Sequence, residues 1–155
     1  MSKTITTPVG IGRYTWLNTP DKKFDEGGYG AYRTELILTE KEWNAFKLEI
    51  KPLYEQALAD EQIKQGKKKL KQHGSPITIN EDGQHILKCK LKAGGKRKDG
   101  SEYILSVGRF DGDGKPLSKE VIIGGGSKIK LAIRPKFWYV PTLGFGMTLE
   151  PHAVQ

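Results

Sequence analysis

Cysteine and long apolar runs are almost absent from this 155-residue sequence. The single cysteine, Cys89, excludes an intrachain disulfide, and its place in an alternating pattern predicts a small buried side chain rather than a nucleophile. No apolar stretch approaches the ~20 residues that a membrane-spanning helix needs, and the first residues lack a signal-peptide pattern. We therefore expect a soluble, intracellular protein that makes no contact with a membrane.

Residues that could hold a metal or carry out catalysis are also sparse. The three histidines have neither ligand nor triad spacing. Asp111 and Asp113 resemble the start of a calcium loop, but Lys115 stands at the third ligand position, which favours a simple turn. The glycine-rich run at 124–128 lacks the spacing of a nucleotide-binding loop. The sequence therefore predicts no cofactor, no metal and no catalytic residue.

Positive charge, in contrast, is abundant and concentrated. The formal net charge is +8, and residues 64–136 hold 18 lysines and arginines against 7 carboxylates, whereas residues 1–63 hold 8 against 10. The sequence pI is about 9.5. An excess confined to one segment favours an anionic partner, although a basic surface that only aids solubility stays open as an alternative.

The charge follows strand alternation most clearly at residues 87–92. In an extended strand Lys88, Lys90 and Lys92 share one face, while the intervening apolar side chains share the other. A row of cations over an apolar floor repels itself unless an anion lies along it. A phosphate backbone is the obvious anion of that shape.

The remaining pattern predicts a small β protein with one helix. Strands are expected at 13–18 and 32–38, and a helix over about 40–65 begins with a capping box formed by Thr39 and Glu42. Pro52 should kink this helix or begin a second one. Further strands are expected at 77–79, 86–91, 103–110, 120–123, 127–134 and 143–149.

Strands at this spacing favour a mainly β fold, a five-stranded OB-fold barrel with one α-helix inserted after the second strand. An open α+β sheet is the alternative. By length, residues 1–155 form one domain.

Aromatic residues near the cations narrow the kind of anion. Exposed rings on a cationic groove suit single-stranded nucleic acid, whose free bases stack on them. The acidic outer face of the helix argues against a reader of the duplex groove. The candidate phosphate contacts are Lys88, Lys90, Lys92, Lys96, Arg97, Lys98, Arg109, Lys128, Lys130 and Arg134, and we expect the hairpin cations at 96–98 to act as a mobile clamp. The candidate stacking residues are Tyr14, Trp16, Tyr103, Phe110, Trp138 and Tyr139.

One stretch of sequence resembles a known family. The run at 121–130, Val-Ile-Ile-Gly-Gly-Gly-Ser-Lys-Ile-Lys, is similar to a segment of the replicative single-stranded-DNA-binding proteins of T-odd-type podophages and related tailed bacteriophages. Residues 14–20, 28–30 and 32–38 resemble that family's N-terminal hairpin, and the helix occupies the family's helix position. The specific part of the match is the block at 124–130; the rest is order and spacing.

The resemblance implies an OB-fold, sequence-independent single-strand binding, and roles in phage DNA replication, recombination and repair in the cytoplasm of the infected bacterial host. It also implies contacts with the phage DNA polymerase and helicase-primase, and a homodimer, through an acidic C-terminal tail that this sequence lacks. Because that tail would compete for the basic groove, its absence leaves duplex DNA or RNA open as partners. The functions of a metal-dependent nuclease and of a protein-interaction adaptor also stay open.

Overall fold

The computed structural model describes residues 3–22, 28–118 and 120–155, and these residues build a mainly β fold with one helix. Part of the loop expected over 19–30 lies outside the described residues. The helix, α1, spans Glu40–Gln65. The strands are β1 Ile5–Thr6, β2 Gly10–Asp21, β3 Ala31–Leu38, β4 Ile77–Ile79, β5 His85–Lys92, β6 Gly94–Lys96, β7 Glu102–Ile104, β8 Gly108–Arg109, β9 Lys128–Ile129, β10 Leu131–Val140 and β11 Gly144–Val154.

One sheet dominates the fold. Its strands follow the order β1-β10-β11-β5-β3-β2-β9, with β4 paired to β5 and β8 paired to β11, while β6 and β7 form a separate hairpin. Most pairs are antiparallel, but β11 runs parallel to β5, with Leu149 opposite Cys89. The path ends at β1 and β9 and is not closed, so the mainly β fold with one helix is confirmed and the closed five-stranded barrel is not.

Strict alternation along the central strands builds the core. Leu36 and Leu38 of β3 face inward beside Leu87 of β5, and all three side chains are fully buried. The inward face of β10 adds Leu131 and Ile133, which are also fully buried. Since the side-chain period of a strand is two, the intervening residues of these strands point to the other face of the sheet.

The helix covers part of this core as the sequence predicts. The Thr39 hydroxyl accepts a hydrogen bond from the Glu42 N–H, and the Glu42 carboxylate accepts one from the Thr39 N–H, so the capping box is present. Phe46 and Ile50 are buried against the sheet. The expectation that Pro52 begins a second helix is wrong, because α1 continues through it to Gln65 as one element, and the expected kink stays a prediction.

Three of the predicted strands do not form as single strands. The strand expected over 103–110 is divided into β7 and β8, and the strand expected over 127–134 is divided into β9 and β10. The segment 120–123 forms no strand; instead, the Val121 carbonyl accepts side-chain hydrogen bonds from Asn18 and Arg109. Its apolar residues suggested a strand, but side chains rather than a ladder satisfy this backbone.

Residues 67–71 form a basic connector after the helix, and this connector is held in place at its end. Leu70 is buried, and the Lys71 carbonyl accepts a hydrogen bond of 2.7 Å from the Phe145 N–H. The Phe145 carbonyl in turn accepts one of 2.8 Å from the His73 N–H. Within the described part of the chain, no helix combines the length and the apolar character needed to cross a bilayer.

Candidate nucleic-acid interface

The predicted lysine row lies on the outer face of the sheet. Lys88, Lys90 and Lys92 are exposed, and the residues between them are buried. The neighbouring strand β3 places Glu35 opposite Lys88 and Arg33 opposite Lys90. The alternation therefore produces the cationic face that it predicts, and the ladder adds two charged side chains from β3.

Arg33 is the central residue of this face, and it is absent from the sequence-based candidates. It is flanked across the sheet by Trp16 on one side and by Lys90 on the other. Like charges directly opposite each other destabilise a strand pair, so the Arg33–Lys90 pair favours an anion between them. The Arg33 Nε is buried and has no hydrogen-bond partner among the described residues.

A β-bulge presents the aromatic edge of the face. The register between β2 and β3 shifts between Arg13 and Trp16. Tyr14, inside this shift, has φ of 53°, a left-handed conformation that is uncommon for an aromatic residue and typical of functional or strained sites. The Tyr14 side chain is 62% exposed and that of Trp16 is 46% exposed. Two exposed rings thus lie beside the cations.

Glu35 places a carboxylate within the cationic face, opposite Lys88. The Glu35 Oε1 accepts a hydrogen bond of 3.1 Å from Arg13 Nε. This bond, more than any other contact, raises the pKa of Arg13 above its ordinary value. The Arg13 guanidinium also lies 5.1 Å from the centroid of the Tyr14 ring, a cation–π distance. Glu35 therefore positions Arg13 and lowers the positive potential beside Lys88.

These side chains border a groove of about 630 Å³ on the sheet face. Cys89 lies beneath the groove with its side chain in the core, and burial raises the pKa of its thiol to about 12, so the thiol stays protonated and unreactive. The lining comes from four strands and one loop: Tyr14, Trp16, Asp21, Arg33, Thr34, Glu35, Pro76, Lys88, Cys89, Lys90, Met147 and Thr148. Lys92 continues the lysine row beyond the groove.

Trp138 lies beside this groove on β10. Its Nε1–H donates a hydrogen bond of 3.1 Å to the Thr148 hydroxyl, and Thr148 lines the groove. The indole covers Gly146 so closely that a Cβ there would overlap its Cζ2 atom and lie 2.5 Å from its Cη2 atom. His73 meets the ring edge-on at 5.1 Å. The half-buried Trp138 is therefore held in one orientation, with its polar edge toward the groove.

The cationic hairpin predicted as a clamp is formed by β6 and β7. Lys96, Arg97 and Lys98 are all exposed. The Arg97 guanidinium lies 5.5 Å from the centroid of the Tyr103 ring, which covers Gly95. Asp99 closes the turn by accepting hydrogen bonds from Ser101, and these bonds lower the pKa of Asp99.

The other candidates lie outside the groove lining. Arg109 donates hydrogen bonds to the carbonyls of Val121 and Ser118, so backbone carbonyls already engage its guanidinium. Phe110 and Lys130 line a separate cavity of about 240 Å³. Lys128 is exposed and Tyr139 is half-buried. The Arg134 Nε donates a hydrogen bond of 3.1 Å to the Thr4 hydroxyl. The structure does not bring these six candidates together with the groove.

The glycine-rich block has a structural role. Gly126 has φ of 89°, and its N–H donates a hydrogen bond of 2.8 Å to the Gly12 carbonyl. The Gly12 N–H donates one of 2.9 Å to the Ser127 carbonyl. The block therefore fastens the turn before β9 to the edge of β2. Among the described residues, no group of three histidine, cysteine or acidic side chains is placed to hold a metal ion.

Fold and site together define a class: a mainly β protein whose sheet carries a cationic groove with exposed aromatic rings. No protein-family model matches the chain. A search of known proteins finds the single-stranded DNA-binding protein of Enterobacteria phage T3, 30% identical over 148 residues. The match covers 83% of this chain and 64% of that protein, so the chain spans less than two thirds of its relative's length.

Solved structures of two phage proteins share this fold. The single-stranded DNA-binding protein gp2.5 of bacteriophage T7 matches with a TM-score of 0.83 and 22% identity, over 99% of this chain and 85% of gp2.5. The bacteriophage Enc34 single-stranded DNA-binding protein in complex with ssDNA matches at 0.65 and 15% identity, over 97% and 84%. The resemblance inferred from the sequence is confirmed: this chain is similar to the single-stranded DNA-binding proteins of bacteriophages T3, T7 and Enc34.

Proposed function

We propose that this protein binds single-stranded DNA without sequence preference and without catalysis. The observation that carries the proposal is the ladder Trp16–Arg33–Lys90, which places a ring and two cations side by side across three strands. The name of the phage T3 relative and the ssDNA bound to the Enc34 relative support the same partner. Both relatives are named as binding proteins, which supports a non-enzymatic role.

The geometry suits a strand with free bases. Arg33, Lys88 and Lys90 would contact successive phosphates, while Trp16 and Tyr14 would stack on bases turned toward the bulge. Each stacked base is worth about 1–3 kcal/mol, and stacking on a ring requires no particular base. Duplex DNA already stacks its bases on each other, so it gains from the cations but not from the rings. We therefore expect single strands to compete effectively against duplexes and against duplex RNA.

We also infer that the five long strands β2, β3, β5, β10 and β11 act as an OB-type barrel. Segment 5–11 supports this, because it contains β1, which pairs with β10, and the start of β2, which pairs with β9. The segment therefore links the β10 side of the sheet to the β2 side. Between these pairs the Thr7 N–H donates a hydrogen bond of 2.8 Å to the Leu131 carbonyl. In OB folds the second and third strands bind oligonucleotides. Those positions correspond here to β3 and β5, which carry Arg33 and the lysine row.

The biological setting follows from the relatives. We propose that the protein acts in phage DNA replication, recombination and repair in the cytoplasm of the infected host. Contacts with the phage polymerase and helicase-primase, and a homodimer, belong to the same proposal only where an acidic C-terminal tail is present. The remaining candidates, Lys96–Lys98 of the hairpin included, would extend the contact beyond the groove.

A charge-matched pair of variants tests the groove. The double variant Lys88→Ala/Lys90→Ala removes two groove cations, whereas Lys67→Ala/Lys68→Ala removes two exposed cations from the connector after the helix. Hydrogen bonds to charged groups are worth about 1.5–3 kcal/mol, so the groove variant should bind labelled oligothymidine about tenfold or more weakly. The connector variant should stay near the wild type.

Competition gives the second arm of the test. Unlabelled single strand should displace labelled oligothymidine at lower concentration than duplex DNA or RNA of equal length at the same salt. Equal competition by duplex would make the protein a general nucleic-acid binder. Equal losses in the two double variants would show that net charge, and not the groove, sets the affinity.

A further inference from the structure

A second cavity lies between the helix and the segment that precedes β4. Its volume is about 400 Å³, within the range of ligand-binding clefts. Trp43, Ile50 and Tyr54 of α1 form one wall, and residues 72–77 form the other. None of the candidate residues predicted from the sequence lies in this cavity, and the proposed function does not use it.

This cavity adjoins the sheet groove. Pro76 and Met147 line both spaces, so they form the boundary between them. The Pro76 carbonyl accepts a hydrogen bond of 2.9 Å from the Lys88 N–H, which fixes this boundary directly beside the lysine row. Met147 is unbranched and adaptable, a side chain that fits its surface to a varied neighbour. A strand following Lys88 and Lys90 therefore reaches the cavity at Pro76.

The walls have the chemistry of a base-stacking site. Trp43 is held by a stacked contact with His85, with ring centroids 4.7 Å apart and planes 12° from parallel. Tyr54 is fixed by a hydrogen bond of 2.7 Å from its hydroxyl to Gln72 Oε1 and by an edge contact with Phe145. Flat, rigid rings that do not need to be ordered on binding favour a planar ligand.

The charged residues of the cavity favour an anion at its entrance. Lys47 and Lys51 extend from α1 into the lining, and no carboxylate of the described residues lines the cavity. Elsewhere the outer face of this helix carries Glu49 and Glu55, both exposed. The two lysines thus mark the part of the helix that a phosphate can approach.

We propose that this cavity is a subsite for a nucleobase flipped away from the strand that occupies the sheet groove, with Lys47 and Lys51 contacting its phosphate. The proposal rests on the proposed function, because the strand must arrive along the lysine row. It adds a binding site under the helix, one or a few nucleotides beyond the main groove. An acidic peptide with an aromatic residue is the other occupant whose charge would fit.

Gly74→Phe tests the subsite by obstructing it. Gly74 lines the cavity, and a Cβ added there meets nothing within 4 Å, so no neighbouring atom opposes a larger side chain at this position. Gly112→Phe is the matched control, because Gly112 is equally open but lies outside both spaces. Anisotropy titrations with oligothymidines of about 4 to 16 nucleotides cover the range of OB-fold site sizes.

The expected result depends on oligonucleotide length. For the wild type and Gly112→Phe, affinity should rise once the oligonucleotide is long enough to reach the cavity. For Gly74→Phe, the affinity for these longer oligonucleotides should be about fivefold or more lower than that of the wild type. This variant should still bind the shortest oligonucleotides normally. Identical length dependence in all three proteins would overturn the subsite, while leaving single-strand binding intact. Weak binding of every length by the wild type would instead overturn the proposed function.

Photocrosslinking identifies the occupant directly. Oligonucleotides containing 5-iododeoxyuridine should crosslink to Trp43 or Tyr54 in the wild type and in Gly112→Phe, and not in Gly74→Phe. Crosslinks confined to Trp16 and Tyr14 in every protein would contradict the proposal. The proposal would also be contradicted if an acidic aromatic peptide bound in the cavity and oligonucleotides failed to displace it, because the occupant would then be a protein segment.

Discussion

Replacement of Trp16 by alanine tests the stacking half of the account. The indole is 46% exposed and stands opposite Arg33 in the ladder between β2 and β3. If one base stacks on it, the loss is about 1–3 kcal/mol, which corresponds to a dissociation constant about 5- to 150-fold higher. Because the ring is largely exposed, the free energy of unfolding should change by only about 0.5 kcal/mol.

Fluorescence anisotropy of labelled oligothymidine measures the affinity, and urea unfolding followed by circular dichroism measures the stability. Trp16→Phe keeps a flat ring and should recover most of the binding. Leu48→Ala removes a side chain that is 76% exposed on α1 and should leave affinity unchanged. A folded Trp16→Ala protein with wild-type affinity would refute the stacking role and assign the binding to the cations alone.

Three further predictions concern single side chains. Glu35→Gln should raise the affinity for single strands severalfold, because it removes a negative charge beside Lys88 and releases Arg13 from its ion pair. Glu55→Gln on the helix is the charge-matched control. Gly146→Ala should destabilise the fold by about 1–3 kcal/mol in urea, because the added Cβ would overlap the indole of Trp138, and an unchanged stability would contradict this packing. Burial raises the pKa of Cys89 to about 12 from its ordinary 9.0, so between these pH values only the unfolded state loses the thiol proton. The free energy of unfolding should therefore fall by up to about 1.4 kcal/mol per pH unit above pH 9, and this thiol should not affect it below pH 9. Rapid alkylation of the native thiol at pH 9 would contradict that burial.

The lysine row and the capped helix could be predicted because both depend on local periodicity. Alternation at 87–92 assigns the inward and outward residues of β5 whatever its neighbours are. The capping box at Thr39 fixes the start of α1 in the same local way. The second helix expected at Pro52 is absent because a preference that acts on one turn yielded to the packing of a 26-residue helix.

The most informative residue of the site could not be predicted in this way. Arg33 matters because Trp16 and Lys90 lie on either side of it, and those neighbours depend on strand order and register. The register includes a bulge at Tyr14, for which no glycine or asparagine gives a signal. Arg109 shows the opposite case: it lies in a cationic segment, but the carbonyl groups of Ser118 and Val121 accept hydrogen bonds from its guanidinium.

The salt dependence of single-strand binding by the unmodified protein tests the central claim most directly. If Arg33, Lys88 and Lys90 each neutralise one phosphate, the logarithm of the association constant should fall with the logarithm of salt concentration with a slope of about −2 or steeper. Tryptophan fluorescence should change on binding at every salt concentration, since Trp16 meets a base. An affinity that is flat with salt would contradict the account of this groove.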